Sequence, residues 1–150
     1  MSEERRGKCV IAAVDLTPSA RPIAARACEL ARCLGVEARI VHVLDEPEVV
    51  NPANEFALAG LEPEEFEEKE LEAALTARRI LESSLEGLVG QCAELEVLIG
   101  RPADKLERHA ADHDALMIVA GQPHARFGSL VTHLARHAPC DVHIVRTAGA

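Results

Sequence analysis

The chain has no tryptophan and no tyrosine, and only three phenylalanines among 150 residues. Proteins that hold single-stranded nucleic acid stack its bases on aromatic side chains, so that mode of binding is almost excluded. Excess positive charge is also lacking: 16 Lys and Arg stand against 25 Asp and Glu, a formal charge of −9. Phosphate backbones are repelled at long range by such a chain, and no nucleic-acid partner is expected. A single nucleotide needs only a few local donors and is not excluded. No run approaches the roughly 18 apolar residues of a membrane span. The N-terminus carries Glu3, Glu4, Arg5 and Arg6 where a signal peptide would have an apolar core of about 7–15 residues. The expectation is a cytoplasmic protein with no membrane insertion.

Regular cysteine spacing is missing too. The five cysteines, at positions 9, 28, 33, 92 and 140, form no CxxC, and both disulfide frameworks and zinc sites need tighter spacing. Contexts such as Cys9-Val10-Ile11 suggest small buried hydrophobes in a reducing compartment.

What is present is the balance of one soluble globular domain over residues 1–150, with 48% apolar and 27% charged residues. Five short apolar runs recur: Val10 to Val14, Ala38 to Leu44, Leu95 to Ile99, Leu116 to Ala120 and Val142 to Val145. The continuous hydrophobicity of the first and fourth suggests strands covered on both faces.

Helical segments lie between them. Ser19 is placed to cap a helix that carries Pro22 early in its first turn and repeats Ile23, Ala27, Leu30 and Leu34 until Gly35 stops it. Pro63 starts a long helix whose Glu64, Glu65, Glu67, Glu68 and Glu70 lie near the positive end as a solvated start, followed by a stripe of Leu71, Leu75, Leu81, Leu85 and Leu88. Pro102 opens the next helix, with Leu106 and Ala110 turned inward, and Leu130 to Ala138 forms the last. The alternation argues an α/β fold, an open parallel sheet with helices on both faces. The segment 45–62 is the one long connection, rich in Pro, Asn and Glu, and reads as a mobile lid.

Ligands of such sheets bind beyond the carboxyl ends of the strands, where strand order reverses. Asp15-Leu16-Thr17, Val43-Leu44-Asp45 and Gly121 to Ser129 should therefore converge on one crevice.

At this point the chain resembles a family over nearly all its length. The stretch "CVIAAVDLTPSARPIAARACELARCLGVEARIVHVLDEP" looks like the opening of universal stress proteins. "IGRPADKLERHAADHDALMIVAG" is similar to that family's third strand, Gly-x-Pro turn, helix and fourth strand, and "RHAPCDVHIVR" resembles its last turn and fifth strand. The resemblance implies a doubly wound, five-stranded sheet of order 3-2-1-4-5 and homodimers made by pairing fifth strands. Here that strand is Asp141 to Thr147, an edge that needs a partner or a cover. Within it, His143 reads as a residue of a half-exposed face.

ATP-holding members carry Gly-x2-Gly-x9-Gly-Ser/Thr after the fourth strand. Gly121 matches the first glycine and Gly128-Ser129 the closing pair, but His124 replaces the middle glycine and the loop is six residues shorter. This is more like the universal stress protein A type, whose members generally do not bind ATP. Asp15 and Val43 match positions that contact adenosine in ATP-binding relatives. In the alternative reading ATP or AMP sits at the ends of strands 1, 2 and 4 as a regulatory ligand, with phosphate held by Ser129 and the helix start and Arg126 as counter-charge.

No catalytic residue is assigned. The chain has no G-x-S-x-G elbow and no P-loop, and "DLTPSA" contains no glycine. Response-regulator receivers fit poorly, because the third strand ends in Ile99-Gly100 with no acidic acceptor. The pairs His109/His113 and His133/His137 are each four apart on a helix; with nothing like HExxH they read as solvent-exposed histidines, and no metal is expected. The preferred reading is a noncatalytic stress-response dimer that binds ligands or an unidentified protein partner and requires no cofactor. Slow ATP turnover belongs to the alternative.

Overall fold

Helices on both sides of a parallel sheet cover both faces of its central strands, and the first apolar run is covered in this way in a computed structural model describing residues 7–45, 63–122 and 129–147. β1 (Cys9–Ala13) sends Val10 and Ala12 to one side and Cys9 and Ile11 to the other, and all four are buried. β2 (Glu37–Leu44), β3 (Ala93–Ile99), β4 (Ala115–Gly121) and β5 (Asp141–Val145) complete a sheet of order β3-β2-β1-β4-β5, every pair parallel. The α/β class and the order 3-2-1-4-5 are as expected. Order reverses between β1 and β4.

Four helices join the described strands: α1 (Ala20–Leu34), α2 (Pro63–Ser84), α3 (Pro102–Asp112) and α4 (Ser129–His137). On one face Ile23 of α1, Leu81 of α2 and Leu85, the residue that follows α2, pack with Val10, Ala12 and Ile40. On the other, Leu106 of α3 and Leu134 of α4 pack with Ile11, Val41 and Ile118. Gly35 ends α1 at φ 70°, ψ 36°, the left-handed conformation that glycine adopts without strain.

Three expectations need correction. Ser19 occupies the position before α1, but its side chain makes no capping hydrogen bond. Asp15 instead organises the turn before the helix: its Oδ1 accepts from the backbone N–H of Thr17 at 3.0 Å and from the Thr17 hydroxyl, while Thr17 Oγ1 accepts from the Ser19 N–H. Next, the leucine stripe of α2 is not one face: Leu81 and Leu85 are fully buried, whereas Leu71 is 60% exposed and Leu75 46%. At about 100° per residue, those two lie roughly 80–120° around the helix from Leu81. Finally, Cys9 and Cys28 are buried as expected, but Cys33 and Cys92 are exposed. They flank the ends of α1 and β3, where the chain leaves the core.

The glutamates at 64, 65, 67 and 68 are solvated, as expected of a helix start. No described helix is long and apolar enough to cross a membrane. The proposed lid lies almost wholly outside the described residues, which resume at 63.

Candidate binding site

A crevice of about 570 Å³ opens at the carboxyl ends of β1, β2 and β4. Its size falls within the range of small-molecule sites, roughly 300–1,000 Å³. The three turns singled out from sequence do meet there: Asp15, Val43 and Gly121 all line it. Ser129 is the first residue of α4, whose Leu130 and Val131 also face the crevice. His124, Arg126 and Gly128 lie outside the described residues.

Asp15 Oδ1 holds the β1–α1 turn through Thr17, and its carboxylate lines the crevice. Gly121 has a packing reason to be glycine: a Cβ there would come within 3.0 Å of Ile23 Cδ1, so α1 closes tightly over the end of β4.

Other lining residues were not singled out from sequence. His42 lines the crevice, is only 6% exposed, and donates from Nδ1 to the carbonyl oxygen of Val14 at 2.8 Å; its Nε2 is buried without a hydrogen-bond partner. Only the residue that follows β1 shows what the imidazole does. Arg101, at the N-cap of α3, and Asp104, in its first turn, also line the site. Two helix N-termini, those of α3 and α4, therefore point at one crevice beside a guanidinium, a setting that favours an anion. Asp15, Asp45 and Asp104 supply carboxylates to the same space, suited to hydroxyl and amino donors.

The histidine pairs differ from expectation. His137 is exposed, but His133 is half-buried and lines the crevice, its Nε2 3.0 Å from Glu107 Oε1. His109 is 7% exposed, not solvated. It lies beneath α3 against Glu96 of β3, and burial lowers its pKa below the usual histidine value, with Glu96 opposing that shift. The spacing of four placed the pair on one helix face; nothing in that spacing said the face turns toward β3.

A parallel sheet of order 3-2-1-4-5 with a crevice at its switch point defines a doubly wound α/β fold. The sequence profile of the Universal stress protein family matches residues 8–146. The chain belongs to the universal stress protein family.

Among solved structures, the chain is similar to universal stress protein UspA from Lactobacillus plantarum, with 23% identity, a TM-score of 0.64, and coverage of 93% of this chain and 97% of that one. It also resembles the universal stress protein of Archaeoglobus fulgidus in complex with dAMP, at 24% identity, TM-score 0.57, and 91% and 96% coverage. A universal stress protein family protein from Arabidopsis thaliana with AMP bound aligns at 17% identity, TM-score 0.51, covering 95% of this chain and 92% of that one. These likenesses share the fold. None of the curated proteins compared is significantly similar in sequence.

Proposed function

We propose that the protein is a noncatalytic, cytoplasmic stress-response homodimer whose crevice reversibly holds an adenine nucleotide, AMP in preference to ATP. The observation that carries this reading is the convergence of Asp15, Val43 and Gly121 with the starts of α3 and α4 on one crevice. Asp15 accepts from a ribose hydroxyl, the apolar wall of Val41 and Val43 covers the base, and the helix starts receive phosphate. Relatives solved with AMP or dAMP support the ligand class. The preference for monophosphate follows from the seven-residue step from Gly121 to Gly128, which offers fewer backbone donors than the longer family loop.

The dimer is proposed at β5. Both β3 and β5 are sheet edges, but β3 carries the charged Glu94 and Glu96, while β5 presents Val142 and Ile144. Charges discourage edge pairing and apolar residues invite it.

Calorimetric titration of the full chain with AMP and with ATP, preceded by native mass spectrometry, tests the ligand. Copurified nucleotide, or binding of AMP in the micromolar range and tighter than ATP, is the expected result. No heat with either, on a folded protein carrying no nucleotide, would remove the ligand and leave a protein partner as the function of the dimer.

A further inference from the structure

Among the buried polar groups outside the crevice is His109. It sits two turns into α3, about 10 Å along the helix from Pro102, under the half of the sheet that holds Glu96. Its Nε2 is buried with no hydrogen-bond partner, although Glu96 Oε2 lies 3.4 Å away in an arrangement that does not align as a hydrogen bond. An unmet buried polar atom is destabilising, and a cation held between these atoms would satisfy both.

A third group faces the same point. His113, one turn on, stacks beside His109 with ring centroids 4.1 Å apart. Its Nδ1 donates to the His109 carbonyl at 2.9 Å, which leaves Nε2 as the lone-pair nitrogen. One ligand atom from each of Glu96, His109 and His113 lies within 4.8 Å of the other two. Glu96 is itself oriented: Arg39 Nη1 donates to Oε1 at 3.0 Å, so Oε2 is the oxygen turned to the histidines.

We propose that Glu96, His109 and His113 bind one divalent transition-metal ion of the zinc class. Ligand bonds of about 2.0–2.2 Å at tetrahedral angles separate neighbouring ligand atoms by about 3.4 Å, and Glu96 Oε2 and His109 Nε2 already stand at 3.4 Å. Two imidazoles with one carboxylate suit zinc, cobalt or nickel and leave a position for water. The outer contacts are those of metal sites: a backbone carbonyl fixes one imidazole and a guanidinium fixes the carboxylate. The positive Arg39 beside Glu96 opposes the ion and weakens the site. The site is built from β3 and the far end of α3, and shares no residue with the crevice.

The test is titration of the chelator-treated, fully reduced full chain with Co²⁺, read by visible absorption, and with Zn²⁺, read by calorimetry. One equivalent of Co²⁺ with a nitrogen- and oxygen-type spectrum is expected, and Zn²⁺ should displace it. His113→Ala and Glu96→Gln should each weaken binding at least tenfold while circular dichroism remains that of the wild type. Cys33→Ser/Cys92→Ser and His137→Ala should leave it unchanged. Thiolate-type absorption, equal affinity in His113→Ala, or no binding by the folded wild type at millimolar ion would each overturn the proposal, the last leaving only a proton between His109 and Glu96. Loss confined to Glu107→Gln would instead place the ion at the Asp104, Glu107 and His133 group.

Discussion

His42 at the end of β2 donates from Nδ1 to the carbonyl of Val14 at 2.8 Å, joining β2 to the residue that follows β1. The backbone makes the same join one residue earlier, where Val14 N–H meets the Val41 carbonyl at 3.0 Å. These two bonds hold the first two strand ends in place under the crevice. His42→Ala removes a buried ring and strands the Val14 carbonyl, which should cost about 2–4 kcal/mol. Urea unfolding should show a lower midpoint with an unchanged slope. A loss below about 0.5 kcal/mol would mean that the backbone bond alone fixes the junction.

The leucines of α2 separate by position. Leu81 is fully buried against the sheet, while Leu71 is 60% exposed. Leu81→Ala should cost about 3 kcal/mol through the cavity it leaves, and Leu71→Ala no more than about 0.5 kcal/mol. Thermal or urea unfolding of the two variants under one buffer reads the difference. Equal losses would place Leu71 in a contact that the described residues do not contain.

Much of this was legible because parallel strands advertise themselves. Val10, Ile11 and Ile118 sit in unbroken apolar runs, and each is fully buried. The ends of β1, β2 and β4 met in one crevice because topology alone decides that. Side-chain roles across elements were less legible. Ser19 looked like a cap, yet its side chain makes no capping bond, and its own N–H donates back to Thr17 Oγ1 in the turn that Asp15 organises. Leu71 and Leu75 fit a leucine repeat, but the six-residue step from Leu75 to Leu81 breaks the helical period and leaves them off the buried face. His109 could be placed on a helix face from spacing, while the partner that makes that face interesting, Glu96, lies 13 residues earlier on a strand.

Asp15 joins fold to ligand, and two substitutions separate its roles. Asp15→Asn keeps an amide oxygen to accept from the Thr17 N–H, so stability should change by under about 0.5 kcal/mol. Asp15→Ala loses the turn and should cost about 1 kcal/mol. Both remove the charged acceptor offered to a ribose hydroxyl, so AMP affinity should fall about tenfold or more in each. Calorimetry beside thermal melts checks the pair. Unchanged AMP binding in Asp15→Asn would confine Asp15 to its turn.

Thiol reactivity should divide the cysteines. Burial pushes the Cys28 thiol up to about 11, with the neighbouring Cys92 adding to the shift, while Cys33 and Cys92 are exposed. Only the thiolate reacts, so alkylation near pH 8 should label Cys33 and Cys92 first and leave Cys28 untouched until the chain unfolds. The linkage has a definite sign. Between the ordinary value of 9.0 and about 11 the unfolded chain has released this proton and the folded chain keeps it. Stability from this group is therefore complete below pH 9 and lost as pH rises toward 11. Cys28→Ala should lose less stability than the wild type over that window. Mass mapping of labelled peptides and unfolding curves at both pH values check the two statements.

The edge of the sheet supplies the last expectation. Ile144 of β5 is 46% exposed on the strand with no outer neighbour among the described residues, whereas the other edge carries Glu94 and Glu96. His143, on the opposite side of the strand, is already engaged, since Arg26 of α1 donates to its Nε2 at 3.2 Å. That contact holds β5 against α1 and leaves Ile144 as the outward apolar residue. If two β5 edges meet, each protomer places a hydrophobic side chain where a lysine cannot be accommodated without desolvation. Ile144→Lys should then yield a monomer by light scattering at concentrations where the wild type is a dimer. Its unfolding free energy, measured where both are monomeric, should stay within about 0.5 kcal/mol, because a half-exposed edge residue tolerates charge. A dimer that survives Ile144→Lys would move the interface away from β5, toward the exposed Leu71 and Leu75 of α2.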